Sequence, residues 1–222
     1  MLYALELYSP HEEYEPRYRH LYAWAHVRLG RLLVQQALLQ PDPTVRQARL
    51  ETAEQHYNTA LELEDNAEAH VGLGFLAANR GEAGGLEGAA EHYRAAIQLD
   101  PQAAEAYANL GDVHVALGDA EQAAGRHERF VAHYEQAISR YRQGLEIDHQ
   151  LEKIHFKLGY LHLQLSKLPA ALEYLAIAAQ RAPRDPGVCK RYGQALLLSG
   201  RPQEAREQFR KANVHLRADQ PG

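Results

Sequence analysis

The stretch from His155 to Pro183 reads HFKLGYLHLQLSKLPAALEYLAIAAQRAP, and its spacing decides the fold. An imidazole stands three residues before Leu158-Gly159. Twelve residues beyond Gly159 a second pattern opens: small Ala171, large Leu175 four on, small Ala178 three further, then Pro183. Steps of three and four place side chains on one face of an α-helix. With Leu168-Pro169 between the two patterns as a turn signal, the segment reads as helix, turn, helix.

The same two motifs alternate along the chain. The first recurs as His26-Val-Arg-Leu-Gly30, His70-Val-Gly-Leu-Gly74 and Tyr107-Ala-Asn-Leu-Gly111, with a weaker copy ending Tyr192-Gly193. The second recurs at Ala53, Tyr57 and Ala60; at Ala89, Tyr93 and Ala96; and at Ala205, Phe209 and Ala212. Gly and Ala let helix backbones approach closely, and the bulky residue one turn away fills the space beside the contact. One helix pair buries only part of its apolar surface, so such pairs come in stacks. Turn signals fall between the motifs at Pro41-Asp-Pro43, Gly81 to Gly88, Gly118-Asp119 and Gly200-Arg-Pro202, and between units at Asp100-Pro101 and Pro183 to Pro186.

This pattern resembles the tetratricopeptide repeat (TPR), a helix-turn-helix unit of about 34 residues. The resemblance runs over about residues 17–217 and implies an all-α, right-handed superhelical solenoid of about five repeats, near 17–65, 66–101, 102–149, 150–183 and 184–217. An aromatic and acidic segment over 1–16 precedes it; Tyr3, Tyr8 and Tyr14 there, with Tyr18, Tyr22 and Trp24 in the first helix, are expected to cap the first repeat, the alternative being a self-association or partner surface, and a disordered tail over 218–222 is expected to follow. Repeats 4 and 5 match without gaps, whereas repeat 1 carries eleven extra residues between Gly30 and Ala53 and repeat 2 three between Gly74 and Ala89. The eleven lengthen the first hairpin by about three helical turns shared between its arms. Repeat 3 admits two alignments of its second motif, on Tyr134 and Ala137 or on Tyr141 and Gly144. With its turn placed at Gly118-Asp119, it predicts one protruding helix over about 120–147, striped by Phe130, Tyr134, Ala137, Tyr141 and Leu145.

Composition narrows the function classes. The 222 residues are rich in Ala, Leu, Glu, Gln and Arg, which lose little side-chain freedom in helices. A charged fraction of 24% with net charge −5 supplies no uniform basic surface for nucleic acid. No run approaches the roughly 18–20 apolar residues of a membrane span, and the first residues lack a signal-peptide pattern. With the single Cys189 unable to form an internal disulfide, a cytoplasmic protein is expected.

Thirteen histidines invite a metal reading. They recur at equivalent repeat positions instead: His26, His70 and His155 at one, His114 and His162 at another, His56 and His92 at a third. Helix-pair spacing separates such positions, so packing or surface roles are expected and no metal site or cofactor is assigned. No HExxH, GxSxG, P-loop or CxxC element occurs. The carboxylates read as solvated helix faces, and no catalytic residue is assigned.

In the TPR family the first helices of successive repeats line a concave surface. Carried onto this chain, its lining positions include Val27, Arg31, Val71, Phe75, Asn109, Asp112, Lys153, Phe156, Lys157, Tyr160, Lys190, Arg191 and Gln194. The resemblance thus implies a groove formed by Phe75, Asn109, Lys153, Phe156, Lys157, Tyr160, Lys190 and Arg191, suited to a partner protein or peptide with acidic and apolar side chains. Asn109, Lys153 and Lys157 also match the last three places of the carboxylate clamp of chaperone-binding members. Val71 and Phe75 occupy its first two places and cannot supply the bonds. The expected function is a protein–protein interaction scaffold without enzymatic activity; a self-associating subunit is the alternative.

Overall fold

The computed structural model describes residues 16–80, 84–151 and 153–218, and among them all regular structure is helical. A short 3-10 turn, Pro16–Tyr18, leads into ten α-helices: α1 (Arg19–Leu38), α2 (Pro43–Leu63), α3 (Ala67–Asn79), α4 (Gly85–Leu99), α5 (Ala104–Ala123), α6 (His127–Ile147), α7 (Ile154–Gln164), α8 (Leu168–Arg181), α9 (Pro186–Leu198) and α10 (Pro202–Ala218). Tyr3, Tyr8 and Tyr14 of the expected aromatic cap and nearly all of the expected tail lie outside the described residues, whereas Tyr18 and Trp24 are 41% and 50% exposed. The helices fall into two compact units that divide between Ala106 and Tyr107, near the start of α5.

In the first unit, α1 and α2 form a long hairpin of 20- and 21-residue arms, so the extra residues of repeat 1 are shared between both. Pro43 opens α2, and the Asp42 carboxylate accepts the backbone N–H of Thr44 at 2.8 Å, which satisfies an otherwise orphaned helix-end donor. Tyr57 is the wedge between helices. Its ring lies against Gly30 of α1 and Gly72 of α3, where a Cβ on either glycine would overlap the ring carbons. Around it Val27, Ala53, Ala60, Ala69, Leu73 and Leu76 form one buried cluster. The shorter hairpin of α3 and α4 repeats the device with Tyr93 on Gly74. Burial is worth about 1.5–3 kcal/mol per large side chain, and only glycine opposite leaves the ring room.

The second unit corrects the reading of repeat 3. Helix α5 does not turn at Gly118-Asp119; it continues to Ala123, and the hairpin closes over Ala124 to Arg126, with Gly125 at φ 72°. The protruding single helix expected over 120–147 is therefore replaced by two nearly equal arms, α5 and α6, of 20 and 21 residues. The reason is spacing. Tyr141 packs on Gly111 and Tyr134 packs on Gly118, so both sequence alignments are used at once. Seven residues are close to two helical turns, so adding seven to each arm keeps every wedge on the inner face. Phe130, Tyr134, Ala137 and Tyr141 are buried as the stripe predicts, with Leu145 packed beside them.

Hairpins α7–α8 and α9–α10 complete this unit, with Leu175 on Gly159 and Phe209 on Gly193. The α7–α8 turn lies at Leu165 to Lys167, just before the expected Leu168-Pro169, which instead starts α8; Ser166 takes the left-handed conformation there at φ 56°. Asp185 caps α9 through the Val188 N–H at 3.0 Å.

Candidate peptide-binding face

Seven of the eight residues expected to line the groove, Asn109, Lys153, Phe156, Lys157, Tyr160, Lys190 and Arg191, belong to the second unit, whereas Phe75 belongs to the first. On α7 the spacing of Lys153, Phe156, Lys157 and Tyr160 puts them on neighbouring turns of one side. Lys153 is exposed at the N-cap, its backbone left-handed at φ 65°, and caps nothing with its side chain.

Lys157 reaches back to α5. Its ammonium donates to both carboxylate oxygens of Asp112 at 2.6 and 2.7 Å and sits 5.5 Å from the centre of the Tyr141 ring. The Tyr141 hydroxyl donates to the same carboxylate. Burial and the adjacent Asp112 charge push the Tyr141 phenol far above its ordinary range. One step along, the pattern repeats: the Tyr134 hydroxyl donates to Asp119 at 2.5 Å. Tyr160 of α7 lies beside the same hydroxyl. Arg191 of α9 completes the row, its guanidinium 5.1 Å from the Tyr160 ring centre and 3.2 Å from the Gln194 amide oxygen. Two Gly-Asp steps on α5, seven residues apart, thus each hold one tyrosine of α6, and α7 and α9 lay a cation over the result.

Not every expected position faces outward. Phe156 packs against the cluster of Ala171, Leu175 and Ala195, and Phe75 against the core of the first unit. Val27, carried onto the groove with the family's lining positions, is 3% exposed and belongs to that core. At Lys157 a ligand carboxylate would have to compete with Asp112, which already takes the ammonium in a two-oxygen contact. Asp112 and Asp119 are what a reading by lining positions alone undervalues. The signal was present as Gly-Asp twice, seven residues apart, opposite Tyr twice, seven residues apart.

The histidines sort differently from their sequence grouping. His114 does not pair with the role of His162: it faces His133 across the third hairpin, Nδ1 to Nδ1 at 3.4 Å, as His26 faces His56 at 2.9 Å and His70 faces His92 at 3.0 Å. His162 is 4% exposed and stacked flat on Tyr174, with neither ring nitrogen hydrogen-bonded. Among the described residues no three potential ligands gather as a metal-binding group would require. No helix there is long and apolar enough to cross a membrane.

Comparison with known proteins agrees with this architecture. A family model described as TPR repeat matches residues 82–118 and 133–166, and two described as tetratricopeptide repeat match 104–144 and 156–221. The chain belongs to the tetratricopeptide-repeat family. Among solved structures, PilF of Pseudomonas aeruginosa aligns with a TM-score of 0.66 at 20% identity, covering 89% of this chain and 78% of its own. A thermophilic TPR protein of Thermus thermophilus aligns at 0.61 with 23% identity, covering 89% and 93%. YrrB, a TPR protein with an unusual peptide-binding site, aligns at 0.62 with 19% identity, covering 86% and 84%. At such identities the likeness is one of fold. No protein of curated function matches the sequence.

Proposed function

We propose that the chain is a scaffold or adaptor whose second unit holds a partner polypeptide on the face made by α5, α7 and α9, without chemistry of its own. The observation that carries this is Arg191 set over the Tyr160 ring beside Lys157, which Asp112 holds together with Tyr141: a cationic and aromatic platform on α7 and α9, fixed on α5 before any ligand arrives. A platform already fixed loses little conformational entropy on binding. The exposed Lys153, at the N-cap of α7, and Lys190, in the second turn of α9, add positive charge. Acidic and apolar side chains of an extended or helical segment suit this surface. A TPR neighbour with a peptide-binding site supports the class of function, and a cytoplasmic setting goes with the reading.

Capture from native extract tests it, with wild type beside the triple variant Lys153→Glu, Lys190→Glu, Arg191→Glu. Lys157 is left in place because its ammonium serves Asp112. Circular dichroism verifies the variant's fold. A partner identified by mass spectrometry should be retained by wild type and lost by the folded variant; equal retention overturns the assignment of this face.

Self-association is the second reading, favoured by one feature of α1: Leu21, Trp24 and Leu32, spaced along the helix, are 52%, 50% and 47% exposed. Sedimentation at rising concentration separates the two readings. A mass that doubles in wild type and not in Trp24→Asp supports self-association, and a constant mass removes it.

A further inference from the structure

The three histidine pairs share one geometry. In each, one ring stands on the first helix of a hairpin and the other on the second, with the first histidine four residues before a wedge glycine and the second one residue before the wedge tyrosine: His26 and Gly30 with His56-Tyr57, His70 and Gly74 with His92-Tyr93, His114 and Gly118 with His133-Tyr134. Ring centres lie 5.1, 5.3 and 5.7 Å apart while the Nδ1 atoms are 2.9, 3.0 and 3.4 Å apart. Centre separation exceeds nitrogen separation by close to a full ring diameter in every case. That is possible only when the two Nδ1 atoms point straight at one another. Two imidazoles chelating an ion at about 2.0–2.1 Å per bond would need more room and converging lone pairs, so this arrangement holds a proton and not a metal.

A head-on pair has room for one proton between its nitrogens. When both rings are neutral, one is the Nδ1–H tautomer and donates, and the other accepts at Nδ1. A first added proton goes to the outer Nε2 of the donor and keeps the bond. A second must go to the accepting Nδ1, which sets two N–H groups and two positive charges against each other. We propose that these pairs are acid-sensitive latches: each ties the two helices of its hairpin through one shared proton, and a second proton drives the rings apart and loosens the hairpin.

The pair of His70 and His92 shows the balance of charges around such a latch. Asp65 before α3, Glu91 on α4 and Glu54 on α2 face it and favour protonation, and Glu54 is itself engaged by Arg80. Burial opposes them and wins, since both imidazoles are held below their ordinary range, His92 also by the charge of His70. His26 and His56 are likewise lowered by burial, His26 also by His56. At the third pair, Glu121 of α5 faces His133. A folded state that disfavours the proton keeps its full stability above the unfolded histidine value of 6.5 and loses it as pH falls below that.

The test compares wild type with His56→Asn, His92→Asn, His133→Asn, because an amide can donate to a neutral partner or accept from a protonated one at the place of Nδ1. Between about pH 7 and pH 5 the wild-type Tm should fall by roughly 5 °C or more, and the variant's by less than half as much. Titration of the ring protons by NMR in wild type is the second arm and does not depend on the variant folding. Paired resonances that respond to both steps are expected, with the second step of the His26–His56 and His70–His92 pairs below the ordinary value of 6.5. Parallel Tm profiles in the two proteins, or histidines titrating singly near 6.5, overturn the latch.

Discussion

At the residue scale the molecule rests on glycines that exist to be touched. A Cβ added at Gly111 would lie 2.5 Å from Cε1 of Tyr141, a buried ring that cannot swing away because its hydroxyl is tied to Asp112. Gly111→Ala should therefore cost about 1–3 kcal/mol, the range of an overpacked core, although alanine is the better helix former by up to about 1 kcal/mol. Urea unfolding measures it, and a neutral or stabilised variant would show that the wedge is soft. The opposite outcome is expected at His162. Its two ring nitrogens are buried without partners on the face of Tyr174, a position where a polar atom costs about 1–3 kcal/mol and returns nothing. Its pKa is lowered by burial first, then by Arg142 and Lys167. His162→Phe keeps an aromatic ring on Tyr174, removes the orphaned atoms, and should raise the urea midpoint. A lowered midpoint would mean that the imidazole has a partner.

At the element scale, hairpin closure depends on a few polar or left-handed residues. Asp42 is the clearest: its carboxylate accepts from Thr44 and Val45 at the head of α2, directly after the short turn between the two lengthened arms of repeat 1. Asp42→Ala should cost about 1 kcal/mol, and Asp42→Asn or Asp42→Ser much less, because those side chains keep the acceptor. Gly125, at φ 72°, plays the corresponding part between α5 and α6, and a Cβ there meets nothing. Gly125→Ala should thus show only the backbone penalty of about 1–2 kcal/mol, separating conformational strain from the steric clash expected at Gly111. Equal losses at the two positions would break that distinction. Element boundaries in repeat 3 were the poorest part of the sequence reading, since Gly118-Asp119 looks like a turn by residue type yet sits where a tyrosine wedge needs glycine inside a helix.

At the scale of the whole molecule, nearest-neighbour packing should govern how damage spreads. Arrays of hairpins gain stability from each repeat and from its contacts with the next. Gly193→Ala, which drives a Cβ to 2.8 Å from Phe209 Cε1, should lower amide protection in α9 and α10 far more than in α1 and α2. Hydrogen exchange followed by mass spectrometry reads this directly, and uniform loss across the chain would reveal a single cooperative unit.

What the sequence by itself determined is the helical class, the repeated pairing of a glycine with a bulky residue sixteen positions later in the two regular hairpins, and the family. Each follows from contacts within one hairpin, where helical periodicity converts spacing directly into facing side chains. The tertiary structure decided the register of the third hairpin, because two offsets that differ by seven residues present nearly the same face and only the packing of Tyr141 on Gly111 and Tyr134 on Gly118 fixes both. It also decided which charges remain available on the candidate face. Lys157 reads as an open cation in sequence, and its neutralising partner Asp112 is 45 residues away. The histidines divide for the same reason: their recurrence is visible along the chain, but that two rings meet nitrogen to nitrogen depends on helix–helix distance and rotation, which no local pattern specifies.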